Sequence, residues 1–395
     1  MIGRDVSPLK NRSYFLFGPR GVGKSTWLQN QYSENEIIYL DLLDPDLYED
    51  LLFNPGRFQQ IISSPENLKK IVVVDEVQKL PKLLDVVHLE IQRKKRQFIL
   101  TGSSSRKLKQ KGVNLLAGRA SVYHLFPLSS LELKDQFNLQ RALEWGGLPD
   151  AYLASPPDSH VNDALSREYL SAYALTYLEK EIQQEQWVRK IEPFRKFLMI
   201  ASRMNGKIIN RSRIARDVGV DDMTIASYYE ILEDTLIGFS LPAFHRSARK
   251  SQRQASKFYL VDTGIKRALD KSLMIPLQAG TAAYGEAFEH WLILELYKVS
   301  EYHRLDWRFY YARTPSDVEV DLIIERPGKP RLFIEIKSKN RIDESDAKSL
   351  ETLAADLDSK GKRLLLSQDP LDQTFGKTKA MHWQTALQEI IKDKI

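Results

Sequence analysis

The chain has 395 residues, 43% of them hydrophobic and 28% charged, with a formal net charge of +6 and no cysteine. That composition is globular, with room for two or three domains, and it excludes disulfides, thiolate metal sites and cysteine nucleophiles. No apolar run approaches the ~18 residues of a spanning helix, and the N-terminus lacks both a long apolar segment and a small-residue cleavage site. A cytoplasmic protein without a membrane partner is expected, and its mild positive excess admits a polyanionic partner.

SYFLFG, from Ser13, reads as a short buried strand entering a glycine-rich turn, and KSTWLQNQY, from Lys24, as the first helix. Gly18, Gly23, Lys24 and Ser25 satisfy G-x-x-x-x-G-K-[ST]. In that spacing the glycines let backbone N–H groups curl around phosphate oxygens, the lysine reaches the β/γ-phosphates and the serine ligates Mg²⁺. The helix N-terminus adds its positive dipole end. Gly21 and Thr26 join the candidate nucleotide-binding set.

IIYLDLLDP suggests a further strand over Ile37–Leu42. KIVVVDEVQKLP is a fully apolar strand, Ile71–Val74, that ends in Asp75 and Glu76. Continuous apolar runs are the mark of buried parallel strands, and open α/β sheets bind ligands at the carboxyl ends of their strands. Asp75 is expected to hold Mg²⁺ through water and Glu76 to polarise the attacking water. RQFILTGSSS gives a strand over Phe98–Leu100, expected beside the Asp75 strand, with Thr101 and Ser103 placed to orient water or sense a γ-phosphate. Strands alternating with helices predict a parallel α/β sheet. Arg119, after the turn in NLLAGRASVYHLFPLS, is a candidate finger acting in trans, and Arg106 competes for that role.

Together FGPRGVGKST, IVVVDEVQKLP, FILTGSSSRKL, LLAGRA and WGGLPD resemble a family of bacterial and archaeal AAA-type ATPases. Members of that family carry a winged helix and a nuclease-like domain behind the motor. The motifs span Tyr14 to Asp150. The resemblance implies ATP and Mg²⁺ as cofactors. Motors of this type work as rings, so a homo-oligomer, in the form of a hexamer, is expected.

Residues 151–192 read as a helical lid or connector, and 193–268 as the winged helix. In INRSRIARDVGVDDMTIASYYEILEDTLIGFSLP, Ile214, Ala215 and Val218 mark a short helix and Gly219 the turn. Asp222 is expected to cap a second helix over Met223–Leu236, with Ile225, Tyr229 and Leu232 on one face. Its other face would expose Thr224, Ser227 and Tyr228 but also Glu230, Glu233 and Asp234, which argues against deep insertion in a major groove. DNA contact and protein contact are both open for this element. The following tract holds Arg246, Arg249, Lys250, Arg253 and Lys257, a cationic wing suited to duplex phosphates.

In the last third, 279–395, AYGEAFEHWLILELYKV is a helix with Glu286 near its start. DVEVDLIIER and PRLFIEIKSKN are adjacent strands joined by the turn RPGKP, and RLLLSQD follows a helix over Ser345–Leu357. Period-two alternation puts Glu335 and Lys337 on one face. The order Glu, Asp, Glu-x-Lys on helix, strand and strand resembles the PD-(D/E)XK nuclease core, although Asp321 is preceded by valine and not by the proline of that name. The resemblance implies that Asp321 and Glu335 hold a divalent cation, completed by Glu286, and that Lys337 orients the attacking hydroxide. The fold class expected is thus α/β: a P-loop AAA-type parallel sheet domain over 1–150, a winged helix, and an α/β nuclease-like domain that either cleaves DNA or only grips it.

Overall fold

The computed structural model describes residues 2–104, 116, 118–155, 163–174, 188, 190–245 and 255–392. Arg106, the cations Arg246, Arg249, Lys250 and Arg253, and much of the expected connector lie outside the described residues. Contacts group Met1–Leu128 with Glu230–Ile237 into one unit, and Ser129–Tyr229 with Gly238–Ile395 into another.

In the first unit, β1 (Ser13–Phe17), β2 (Ile37–Asp41), β3 (Ile71–Asp75), β4 (Phe98–Gly102) and β5 (Ala120–His124) form one sheet in the order β2-β3-β4-β1-β5. Every pairing is parallel. Helices α1 (Lys24–Gln31), α2 (Pro45–Phe53), α3 (Pro55–Ser63) and α4 (Leu83–Lys94) supply the crossovers. Both faces of the central strands are therefore covered, which is why β3 and β4 are apolar up to their carboxyl ends, where Asp75 and Thr101 stand. Phe15, Phe17, Val72, Val74, Phe98 and Leu100 pack with Phe58, Ile62, Leu84 and Val87 in the core. As the sequence suggested, β4 lies beside the Asp75 strand.

The second unit includes, after a short helical turn over Ser130–Leu133, α5 (Leu139–Trp145) and α6 (Ala164–Ala172). Three helices follow, α7 (Ile191–Arg203), α8 (Arg211–Val218) and α9 (Asp222–Asp234), the last of which runs past the second unit's boundary at Tyr229, and then an antiparallel pair, β6 (Gly238–Leu241) and β7 (Lys257–Leu260). Helix α9 differs from expectation in three ways. Asp221, not Asp222, caps it by accepting from the Thr224 N–H at 2.6 Å. It ends at Asp234, and Leu236 has a positive φ of 58°. Tyr228 is buried, packed edge-on against Phe194 at 4.9 Å, because α7 brings an aromatic pair to that face.

Helix α10 (Thr263–Leu269) docks on the WGGLPD stretch. Asp262 caps α10 by accepting from Ile265 N–H at 2.9 Å, and its other oxygen accepts from Gly147 N–H at 2.6 Å. Gly146 sits at φ +73°, and a Cβ there would lie 2.0 Å from Asp262 Oδ1. Gly146 is thus required for the capping carboxylate to approach. Beyond it run α11 (Ala282–Tyr302), β8 (Arg308–Arg313), β9 (Glu319–Glu325), β10 (Leu332–Ile336), α12 (Glu344–Leu357), β11 (Lys362–Ser367), β12 (Gln373–Phe375), β13 (Thr378–His382) and α13 (Trp383–Ile391). Their sheet has the order β12-β13-β11-β10-β9-β8. It is antiparallel from β8 to β10 and parallel from β10 through β11 to β13. No helix of the described residues is long and apolar enough to cross a membrane.

Gly146→Ala should cost about 2–4 kcal/mol by overpacking against Asp262 at a backbone angle that only glycine adopts freely. Urea denaturation would read this, with Gly3→Ala, which meets nothing within 4 Å, expected to stay within about 0.5 kcal/mol of the parent.

Candidate nucleotide site and carboxylate cluster

The carboxyl ends of β1, β3 and β4 meet on one edge of the parallel sheet, and the loop Gly18–Gly23 rises from it. Any side chain at Gly18 would collide with the Leu125 carbonyl, 2.2 Å from its Cβ position. Gly21 and Gly23 have φ of 77° and 86° and turn the loop into α1. Lys24 is buried, and its Nζ donates to the carbonyls of Gly18 at 2.8 Å and Pro19 at 3.1 Å. Ser25 Oγ donates to Asp75 Oδ2 at 2.8 Å. Thr26 follows with its side chain exposed.

Asp75 is the hub of this edge. Besides Ser25 it accepts from the hydroxyls of Tyr39 and Thr101 and from the Glu76 N–H at 3.1 Å. Burial, and then the Asp75 charge, push the Tyr39 phenol upward, so it remains a donor. Glu76 has a positive φ of 57°, a sparsely populated conformation for a non-glycine residue. Its carboxylate accepts from Gln78 Nε2, which also donates to Ser103 Oγ at 3.2 Å. Thr101 therefore serves the Asp75 carboxylate, and Ser103 is joined to Glu76 through Gln78. Tyr39 and Gln78 escaped the sequence reading. Tyr39 was visible as a polar group inside the β2 strand, whereas Gln78 carried no signal. Arg119 is half-buried and directly precedes β5. Because β5 is parallel to β1, Arg119 lies a strand length, ~16 Å, from the phosphate-loop edge.

The second constellation lies in the other unit. Asp321 on β9 accepts from the Ile336 N–H at 2.8 Å. Glu335 on β10 pairs with Lys337 at 2.6 Å through Oε1, while its buried Oε2 has no hydrogen-bond partner. Glu286 does not join them: its side chain is 56% exposed and pairs with Lys207 at 3.4 Å. Glu289, one turn further along α11, faces inward instead. It accepts from Tyr259 Oη at 2.9 Å, and Lys257 stands 3.8 Å away. Lys257 also contacts Glu319, two residues before Asp321 and on the same strand face. Burial, and then the Asp321 charge, push the Glu289 and Glu335 carboxyls well above the usual range, and burial raises Asp321 too. The cluster is crowded with negative charge and balanced by lysines. Among the described residues no three His, Cys, Asp or Glu side chains converge as a ready-made metal cage. The hard oxygen donors and the unpartnered Glu335 oxygen do suit a divalent cation in chemistry.

Residues 10–134 match the family model described as an AAA domain. That match supports a P-loop ATPase core, and with it nucleotide binding. Two further models, both described as domains of unknown function (DUF8612 and DUF4143), match residues 136–277 and 284–385. An uncharacterized protein of Mycobacterium tuberculosis is 27% identical over 327 residues, 82% of this chain and 69% of that protein. A counterpart in Mycobacterium bovis gives the same 27% over 327 residues. Among solved structures, a Signal Transduction ATPase with Numerous Domains from Pyrococcus horikoshii, carrying a tetratricopeptide repeat sensor, is similar at 15% identity and a TM-score of 0.29. That alignment covers 77% of this chain and 51% of the other, a likeness too weak to carry an argument.

In the AAA domain, Asp75→Ala would strand the hydroxyls of Ser25, Tyr39 and Thr101. A loss of about 1–3 kcal/mol for each donor left without a partner should appear in nucleotide-free chemical denaturation, and Asp75→Asn, which keeps an acceptor, should cost less.

Proposed function

We propose that this protein is an ATP-hydrolysing motor that remodels or translocates DNA, with a metal-dependent nuclease-like domain at its C-terminal end. The observation that carries the hydrolysis reading is the meeting of Ser25, Asp75, Glu76 and Thr101 on one strand-end edge above the glycine loop.

Lys24 is held by two neutral carbonyls, and a phosphate oxygen makes a stronger charge-assisted bond. The lysine therefore exchanges onto the β/γ-phosphates as ATP enters, while backbone N–H groups around Gly21 and Gly23 and the start of α1 cradle the rest. Ser25 and Asp75 would hold Mg²⁺, which supplies neutralisation of the phosphate charge. Glu76 accepts the proton of the attacking water, and its orientation is set by Gln78 together with Ser103. Arg119, far from its own chain's site, would complete a neighbour's, which favours a homo-oligomeric ring and a hexamer as its form.

The DNA reading rests on the helix–turn–helix α8–α9 followed by the β6–β7 pair, and on the cations of residues 246–253. At the C-terminal site Asp321 and Glu335 would hold the divalent cation, whose chemistry is to acidify water and balance charge on a scissile phosphate. Lys337, tied to Glu335, would orient the attacking oxygen, and Glu289 takes the supporting position expected of Glu286. A second reading, an ATP-controlled switch on a protein partner, draws on α9: with Tyr228 turned into the core and Glu230 exposed, its outward face is a poor match to a major groove. In a third, the C-terminal domain grips DNA without cutting it.

ATPase rate and DNA integrity, followed together over linear, branched and single-stranded DNA with Mg²⁺, separate these readings. Hydrolysis should be stimulated by DNA, abolished by Lys24→Ala and slowed about 100-fold or more by Glu76→Gln. Cleavage should be lost in Asp321→Ala and Lys337→Ala with ATPase intact. DNA affinity should fall steeply with salt. An ATPase rate indifferent to DNA, with salt-insensitive binding, would sink the motor reading and leave the protein switch. Intact DNA with stimulated hydrolysis would leave the non-cleaving motor.

A further inference from the structure

Lys257 opens β7, at the end of the cationic tract, yet it does not face outward as a phosphate-binding wing would require. Its side chain is 4% exposed. The ammonium contacts Glu319 of β9, lies 3.8 Å from Glu289 of α11 and sits 5.4 Å from the centroid of the Tyr311 ring. Tyr259, two residues on and on the same strand face, donates to Glu289. The main chain fixes this delivery, because Lys257 bridges Ile208 and Ala243 bridges Tyr311. Tyr311 Oη in turn donates to the Ala255 carbonyl at 2.7 Å. A cavity of about 380 Å³ opens beside the cluster, lined by Lys257, Tyr259, Glu286, Glu289, Arg313 and Glu319 among others.

We infer that Lys257 is the resident counter-ion of this carboxylate pocket, delivered by the middle module, and that a divalent cation must displace it to bind. The inference rests on reading the C-terminal core as a cation-binding one. Glu289 and Glu319 line one partly enclosed cavity and the Asp321 charge acts on Glu289, and such charges are costly without a partner. The buried ammonium supplies that partner from within the chain. A divalent cation seeks the same oxygens at ~2.0–2.6 Å, and two cations cannot share them without repulsion. Binding and the seating of β7 are then reciprocal: whatever lifts β7 from the pocket raises cation affinity, and cation binding loosens β7 by the same factor. The sequence tract read as a DNA-binding wing thus ends in a residue that governs the metal pocket.

The test is Mn²⁺ titration and thermal melting of the full chain, without nucleotide or DNA. Lys257→Met should bind Mn²⁺ about ten-fold or more tightly than the parent, since the competing charge is gone. It should melt lower in cation-free buffer, and Mn²⁺ should raise its melting temperature more than the parent's. Lys257→Arg, which keeps the charge, should follow the parent. The gain should vanish in the Lys257→Met, Glu289→Gln double variant. Equal or weaker Mn²⁺ binding by Lys257→Met, or a gain that survives in the double variant, overturns the inference. If Lys257→Met does not fold without cations, folding on addition of Mn²⁺ supports it and failure to fold with Mn²⁺ overturns it. Absence of DNA cleavage would count against the nuclease reading alone, because none of these measurements uses DNA.

Discussion

The nucleotide site depends on parallel pairing. Because β1, β3 and β4 all run the same way, their carboxyl ends open on one edge, and residues from distant parts of the sequence arrive there without any loop having to reach. The insertion of β4 between β1 and β3 is what brings Thr101 onto Asp75 and Ser103 within reach of Gln78. An antiparallel β4 would send both residues to the far edge. The same constraint sets Arg119 apart, since the start of a parallel strand lies opposite to its neighbour's end. One topology therefore gathers Ser25, Asp75, Thr101 and Ser103 at one edge and leaves Arg119 at the opposite one.

In the C-terminal sheet the governing constraint is electrostatic. Three carboxylates from α11 and β9 and a fourth from β10 crowd one region, and the chain answers with Lys257 and Lys337. The backbone contributes as well: the Ile336 N–H holds Asp321, so that carboxylate is oriented by the neighbouring strand rather than by solvent. Glu335 keeps one oxygen buried and unpaired, a cost that natural folds seldom carry without a use.

Much of the first unit could be read directly from the sequence because its chemistry is written in backbone requirements. A glycine whose Cβ would stand 2.2 Å from a carbonyl oxygen can be nothing else, and strand segments buried on both faces read as apolar runs. The C-terminal assignments were less legible where the answer lay on a partner surface. Glu286 and Glu289 are one turn apart on the same helix, and only the packing of α11 against β7 and β9 decides which looks inward. Glu289 did carry a faint mark, lying between Phe288 and His290 in an otherwise core-facing stretch. Tyr228 and Lys257 misled for the same reason. A tyrosine among polar neighbours and a lysine in a basic tract both suggest solvent, and both were claimed by surfaces, Phe194 with Phe197 and Glu289 with Glu319, that local pattern does not encode.

The resting partners of the lysines set what each can give up. Lys24 is satisfied by two neutral carbonyls, so trading them for a phosphate gains a charge-assisted bond and costs little. Lys257 is satisfied by carboxylates in a poorly solvated pocket, so only a competitor of greater charge and denser coordination can replace it. The first arrangement makes a site that fills whenever its ligand is present. The second, on the reading proposed above, makes one whose filling would depend on where a neighbouring strand sits.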